Sequence, residues 1–257
     1  MTGPLGNLAL RYLHYIYGSV VARRLRAQLD CLGDDHCAVL VDCGCGAGIN
    51  TERLAGRIGT RRTVGIDISA RMLKEAQKER GIAAVRADVN QSIPLQSNCA
   101  DVIAAMDLLE HLVETDNFVA ELHRVLLPGG YAVVATPNLA SWHNVFALIV
   151  GVQPFSGPNI TSMEDADVQL VHRMHRQLYK LPEEGECEHQ TERKARRHIV
   201  VVAYRSLIRL FERKGFVIEK VLGFGYYPFP PPMARLLSSV DKSHCHHLLI
   251  KARKPLG

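Results

Sequence analysis

The sequence predicts an α/β fold built on a parallel sheet. Three observations predict it. Short apolar runs alternate with helical periodicities from residue 38 to residue 137. One of those runs ends in closely spaced glycines just before a helix, and acidic residues stand at the ends of three consecutive predicted strands. Strands that alternate with helices imply crossover connections, which place neighbouring strands parallel.

The elements follow in order. Leu5 to Leu32 reads as an amphipathic helix, with Leu8, Leu13, Ile16, Val20, Leu25 and Leu29 at helical spacing and a break expected near Gly18-Ser19. Ala38 to Cys43 is a buried strand, Asn50 to Ile58 a helix, and Thr63 to Ile68 a second strand. A helix from Ser69 to Arg80 takes Ser69 as its N-cap. Strands follow over Ala83 to Val89 and Ala100 to Met106, then a helix from Glu114 to Leu127 stopped by Pro128-Gly129-Gly130, and a strand over Tyr131 to Thr136. The alternation lapses after that. A short apolar helix (Ala140 to Val150) precedes a polar, His-rich segment, and the pattern resumes with a helix from Val201 to Lys214 and strands over Phe216 to Leu222 and His246 to Ala252. The chain divides into a helical cap (1–35), a sheet core (36–138), an inserted lid (139–200) and a return to the sheet (201–257).

At 257 residues and 47% hydrophobic, the chain can bury a sizeable core, and 22% charged residues argue against bulk disorder. Seven cysteines, with no basic and apolar leader at the start, read as free thiols of a soluble, cytoplasmic chain. The longest apolar patch, Val145 to Val152, is too short to span a bilayer. The net charge of +5 is scattered, with runs only at Arg23-Arg24 and Arg193 to Arg197. Neither zinc-finger spacing nor an aromatic RNA-binding signature accompanies it, so a small-molecule partner is expected rather than nucleic acid.

The chemistry concentrates in Val39-Leu40-Val41-Asp42-Cys43-Gly44-Cys45-Gly46-Ala47-Gly48. Glycines at a strand-to-helix turn let the backbone bend sharply and approach a ligand. A dinucleotide fingerprint needs its third glycine three places after the second, and Ile49 stands there. Asp42, just ahead of the glycines, would repel a pyrophosphate but suits a cationic ligand such as S-adenosylmethionine (SAM), with its sulfonium and ammonium. Asp67 ends the next strand, where a carboxylate can accept both hydroxyls of a ribose, and Asp88 after the third strand can accept from an adenine amino group.

Asp-x-Gly-x-Gly-x-Gly, Asp67, Ala87-Asp88-Val89 and Arg124-Val125-Leu126-Leu127-Pro128-Gly129-Gly130 together resemble the class I SAM-dependent methyltransferases, most nearly their type 11 small-molecule group. The resemblance covers about residues 36 to 138. It implies a Rossmann-like α/β fold: a seven-stranded, mostly parallel sheet with helices on both faces and an antiparallel last strand. It also implies SAM as cofactor and S-adenosylhomocysteine as product. Asp42, Gly44, Cys45, Gly46 and Gly48 would line the methionine end. Asp67 would hold the ribose, Ile68 and Met72 would flank the adenine, and Asp88 with Val89 would read its edge. Met106 and Asp107 would lie near the methyl group.

The acceptor is less constrained. His143 and His111 are candidate bases for a hydroxyl or acidic carbon, although His111 reads equally well as a packing residue. Trp142, Phe155, Tyr226, Tyr227 and Phe229 are candidate acceptor contacts, the last three on a proline-stiffened loop that suits an apolar or aromatic molecule. Trp142 could instead pack helix against sheet. No metal site is expected: Cys43/Cys45 lacks a second pair, His244-Cys245-His246-His247 alternates in direction along a strand, and His172/His175 with Cys187 and His189 fits a solvated lid. The readings from other classes are a non-catalytic SAM-binding module and a nicotinamide-dependent oxidoreductase.

Overall fold

Strands β1 (Leu40–Cys43), β2 (Thr63–Asp67), β3 (Ala83–Arg86), β4 (Ala100–Met106), β5 (Leu126–Pro137), β6 (Val217–Phe224) and β7 (His247–Arg253) form one sheet in the order β3-β2-β1-β4-β5-β7-β6. β1 to β5 are parallel, and β7 runs antiparallel to both of its neighbours. The structure, a computed structural model, describes residues 4–33, 39–158 and 198–256. The part of the lid that carries His172, His175, Cys187 and His189 lies outside the described residues.

Successive strand residues face opposite sides of the sheet, so each strand feeds two cores. Val41, Ile103, Val134 and Ile250 pack with Phe118 and Leu122 of α4 (Thr115–Val125) and with Leu207 and Phe211 of α6 (Tyr204–Arg213). Leu40, Val102, Val133 and Leu249 pack with Leu54 and Ile58 of α2 (Ile49–Ile58) and with Val20 of α1 (Pro4–Asp30). The remaining helices are α3 (Ala70–Arg80), α5 (Trp142–Ile149) and α7 (Pro231–Val240). Ser69 caps α3 as expected, its hydroxyl accepting from Met72 N.

Three expectations are corrected. α1 runs unbroken through Gly18-Ser19 as a 27-residue helix, and its buried stripe is Ile16, Val20, Arg24 and Gln28, one residue per turn with two polar members. Leu25 and Leu29 are only partly buried, and Leu8 is exposed. Second, α4 stops at Val125, and Pro128-Gly129-Gly130 lies inside β5. The register against β4 slips between Ala100 and Val102. Gly129 takes φ +81°, and a Cβ on Gly130 would sit 2.9 Å from Asp101 O, so only glycines fit this irregularity. Third, the proline-rich run is not a loop throughout. Pro231 opens α7, because the first turn of a helix tolerates a missing N–H.

α1 is pinned by a buried ion pair. Arg24 donates from Nη1 and Nη2 to the two oxygens of Asp107, each at 2.6 Å, and Nη1 lies 3.1 Å from Nδ1 of His247. Asp107 follows β4 at φ +54°, a left-handed position that Asp tolerates better than most residues. Removing one member of such a pair strands the other charge. Arg24→Ala is expected to destabilise the chain by about 3 kcal/mol in urea titration. Arg24→Lys, which keeps charge but loses the two-pronged geometry, should recover only part of that.

Candidate cofactor and acceptor site

The three glycines after β1 have separate tasks. All have positive φ: +73° at Gly44, +52° at Gly46 and +81° at Gly48. A Cβ on Gly44 would press on Leu108 at 3.2 Å, and one on Gly48 would meet Ile82 Cδ1 at 2.5 Å, so those two permit close packing. A Cβ on Gly46 would meet nothing within 4 Å. Gly46 is thus the glycine whose missing side chain leaves room for a ligand against backbone. Cys45 turns its thiol inward, and a Cβ on Gly65 would lie 2.7 Å from its Sγ. Burial pushes the Cys43 and Cys45 thiols well above their ordinary range.

The acids bracket that space. Asp67 Oδ2 accepts from Gly46 N at 2.9 Å and Oδ1 from Ser69 N at 2.8 Å. The same carboxylate therefore ties the glycine turn to the start of α3. Asp42 lies beneath, fully buried, accepting from the Thr51 hydroxyl at 2.5 Å. Burial raises its carboxyl to about 7, and the Asp67 charge adds to this against the Thr51 hydrogen bond. Asp88 Oδ1 accepts from the backbone N and Nδ2 of Asn90, which leaves Oδ2 for a ligand amino group. Ile68 and Met72, which follow Asp67 in the chain, are partly buried. Val89, expected at the adenine edge, buries its side chain in the α4-side core and could contribute backbone only. Met106 packs partly against the α1-side core, and Asp107 is engaged by Arg24.

The acceptor candidates separate into two groups. Trp142 is 48% exposed, stacks on His244 with ring centroids 4.5 Å apart, and donates from Nε1 to Asp241. Tyr226 donates its hydroxyl to Asp241 as well. Both are committed to bracing one loop. Phe229 is exposed at the groove between α1 and α7. Tyr227 and Phe155 instead flank His143, with ring centroids 5.4 and 5.9 Å away, and His246 joins them at 4.8 Å from His143 and 4.9 Å from Tyr227. The Tyr227 hydroxyl is buried without a hydrogen-bond partner. Burial lowers His143 to about 4. A neutral imidazole of that basicity can accept a hydrogen bond but is a weak proton acceptor for a hydroxyl. His111 stands apart, with its ring against His198.

Sequence reasoning missed Arg24, His246 and His247. The first was hidden in a charge pair read as solvated, the others in a His-rich string read only for chelation. The four side chains of that string in fact part company: His244 binds Asp241, Cys245 packs in a small cluster with Tyr226, His246 joins the ring cluster, and His247 lies by Arg24.

Residues 41–134 match the family model described as a methyltransferase domain. A probable SAM-dependent methyltransferase of Mycolicibacterium smegmatis is 31% identical over 119 residues, 46% of this chain and 43% of that protein. Trans-aconitate 2-methyltransferase of Paracidovorax citrulli is 34% identical over 118 residues, 46% of this chain and 44% of that protein. Alignment thus spans less than half the length of these curated relatives. A crystal structure of a SAM-dependent methyltransferase from Mesorhizobium loti shares the fold at TM-score 0.58 and 22% identity, over 93% of this chain and 99% of that one. Residues 41–134 are thus similar in sequence to a methyltransferase domain, and the sheet shares the fold of solved SAM-dependent methyltransferases. The cofactor of that family is SAM, and the open space at Gly46 between Asp42 and Asp67 fits its cationic, ribose-bearing end.

Two measurements check this site. Gly46→Val should fill the open space, and calorimetric titration should show SAM affinity falling tenfold or more, a cost of about 1.4 kcal/mol or above. The second uses pH. The folded state holds the Asp42 proton up to about pH 7, whereas an unfolded carboxylate releases it near pH 4. Between those values the folded state binds more protons, so wild-type stability falls as pH rises through that window. Asp42→Asn removes the titration. Without SAM, its stability relative to wild type should climb from pH 5 to pH 8 in denaturant titrations.

Proposed function

We propose that this chain transfers the methyl group of SAM to a small-molecule acceptor that carries an apolar or aromatic portion. The observation that carries the reading is the ring cluster of His143, Phe155, Tyr227 and His246, with the unpartnered Tyr227 hydroxyl inside it. The cofactor, when bound, supplies a methyl carbon already activated by its sulfonium. What remains for the protein is alignment and the exclusion of water. Gly46 and Asp67 would hold the cofactor, Asp88 its adenine and Asp42 its cationic end. Aromatic faces would orient the acceptor, and Tyr227 would donate a hydrogen bond to its polar group. His143, neutral at physiological pH, would accept a hydrogen bond rather than remove a proton. A wall of rings suits such an acceptor better than a polyanion.

Mass spectrometry of the purified chain should reveal carried SAM or S-adenosylhomocysteine. Incubation with trideuteromethyl SAM and a panel of phenols, carboxylic acids and isoprenoid alcohols should then yield a labelled product. Bound SAM with no transfer across the panel would favour a non-catalytic SAM-binding module, and saturable NADH binding would overturn the methyltransferase reading.

Tyr227→Phe sharpens the test. Deleting an unpaired buried hydroxyl removes a desolvation cost and no hydrogen bond. Melting temperature and SAM affinity should stay near wild type, while the acceptor's KM rises severalfold. An unchanged KM would place the acceptor elsewhere.

A further inference from the structure

At the carboxyl edge of β4, the single-turn helix Leu109–His111 meets the start of the segment that leads into α6. Ile199 N donates to Glu110 O at 2.7 Å, and Val200 N also reaches that carbonyl. These bonds set His198 beside His111, their rings edge-on with centroids 5.2 Å apart. One donor atom each from Glu110, His111 and His198 lies within 4.8 Å of the other two.

Two further observations point to a ligand there. The Glu110 carboxyl is only 1% exposed; it accepts from the Thr136 hydroxyl at Oε2 and from a backbone N–H, and the Arg24 charge acts on it. A carboxylate buried this deeply is costly to ionise, and a cation sharing its site offsets that cost. The second is the orientation of His198. Its Nδ1 lies 3.1 Å from Ser156 O. A carbonyl can only accept, so Nδ1 carries the hydrogen and Nε2 keeps its lone pair in the neutral ring. A ring nitrogen bonded to a carbonyl so that the other can bind metal is the usual arrangement of ligating histidines.

We propose that Glu110, His111 and His198 form a binding site for one divalent first-row transition-metal ion such as Mn²⁺, Co²⁺ or Zn²⁺. Two imidazoles with one carboxylate suit such ions better than Mg²⁺ or Ca²⁺, which prefer all-oxygen shells. Three protein ligands leave coordination positions open. A hydroxyl bound at one of them is acidified and gives its proton to solvent, a service His143 is too weak a base to perform. That role rests on the proposed methyl transfer; the binding of metal does not.

The full chain, stripped with chelator and dialysed, is titrated with Co²⁺ while visible absorption is followed, and with Mn²⁺ by calorimetry. The expected result is one saturable equivalent. His198→Ala and His111→Ala should each weaken it by about tenfold or more while SAM binding, measured on the same samples, is retained. Glu110 is buried deeply enough that its variants could misfold, so the histidine variants carry the test. The absence of saturable binding in the wild type, or wild-type metal affinity in His198→Ala, overturns the proposal. Metal binding lost on His198→Ala in a chain that binds no SAM would leave the site standing and overturn the function instead.

Discussion

The bidentate pair between Arg24 and Asp107 ties the first helix to the carboxyl edge of the central strands, and much of the site is arranged around it. A guanidinium buried in the middle of a helix face needs a planar anionic partner, and Asp107 supplies one at the end of β4. Since Asp107 is held, the backbone after β4 is held, and with it the turn that carries Glu110 and His111. His247, on the antiparallel last strand, closes the arrangement from the other side. Three segments far apart in the chain therefore share one ionic contact, which gives the carboxyl edge a defined shape before any ligand arrives.

Asp67 serves as scaffold, and the proposed function would make it a ligand group as well. By accepting from Gly46 N and Ser69 N it fixes the glycine turn and the start of α3. Asp42 plays a different part. It is too deeply buried to be ionised at little cost, and it sits beneath the turn as a group whose charge state responds to a cation above.

Much of the sheet domain was legible from periodicity and glycine placement. The first two strands, the Ser69 cap and the antiparallel end were read within a residue or two, because each follows from a local pattern or from the resemblance. The placing of Asp42, Asp67 and Asp88 at one edge of the sheet was legible, since each lies at or just past the end of its strand. What escaped was non-local. An apolar stripe on α1 was drawn through leucines, yet the face that packs inward includes Arg24 and Gln28. Hydropathy alone cannot show that an arginine has a buried partner. Trp142 and Tyr226 read as acceptor contacts but converge on Asp241, a residue without a signal of its own. His198 drew no attention, because its relation to His111 exists only once the chain has folded.

The glycine turn has one more property. It includes two buried cysteines, Cys43 and Cys45, next in sequence to the glycines proposed to hold an alkylating agent. Sulfur attacks an activated methyl group as thiolate, and hardly as thiol. Burial, reinforced by Asp42 at both sulfurs and by Asp67 at Cys45, keeps them protonated far above neutral pH. With SAM held at this turn as proposed, the same acids would keep these two sulfurs passive and so guard the protein against methylating itself.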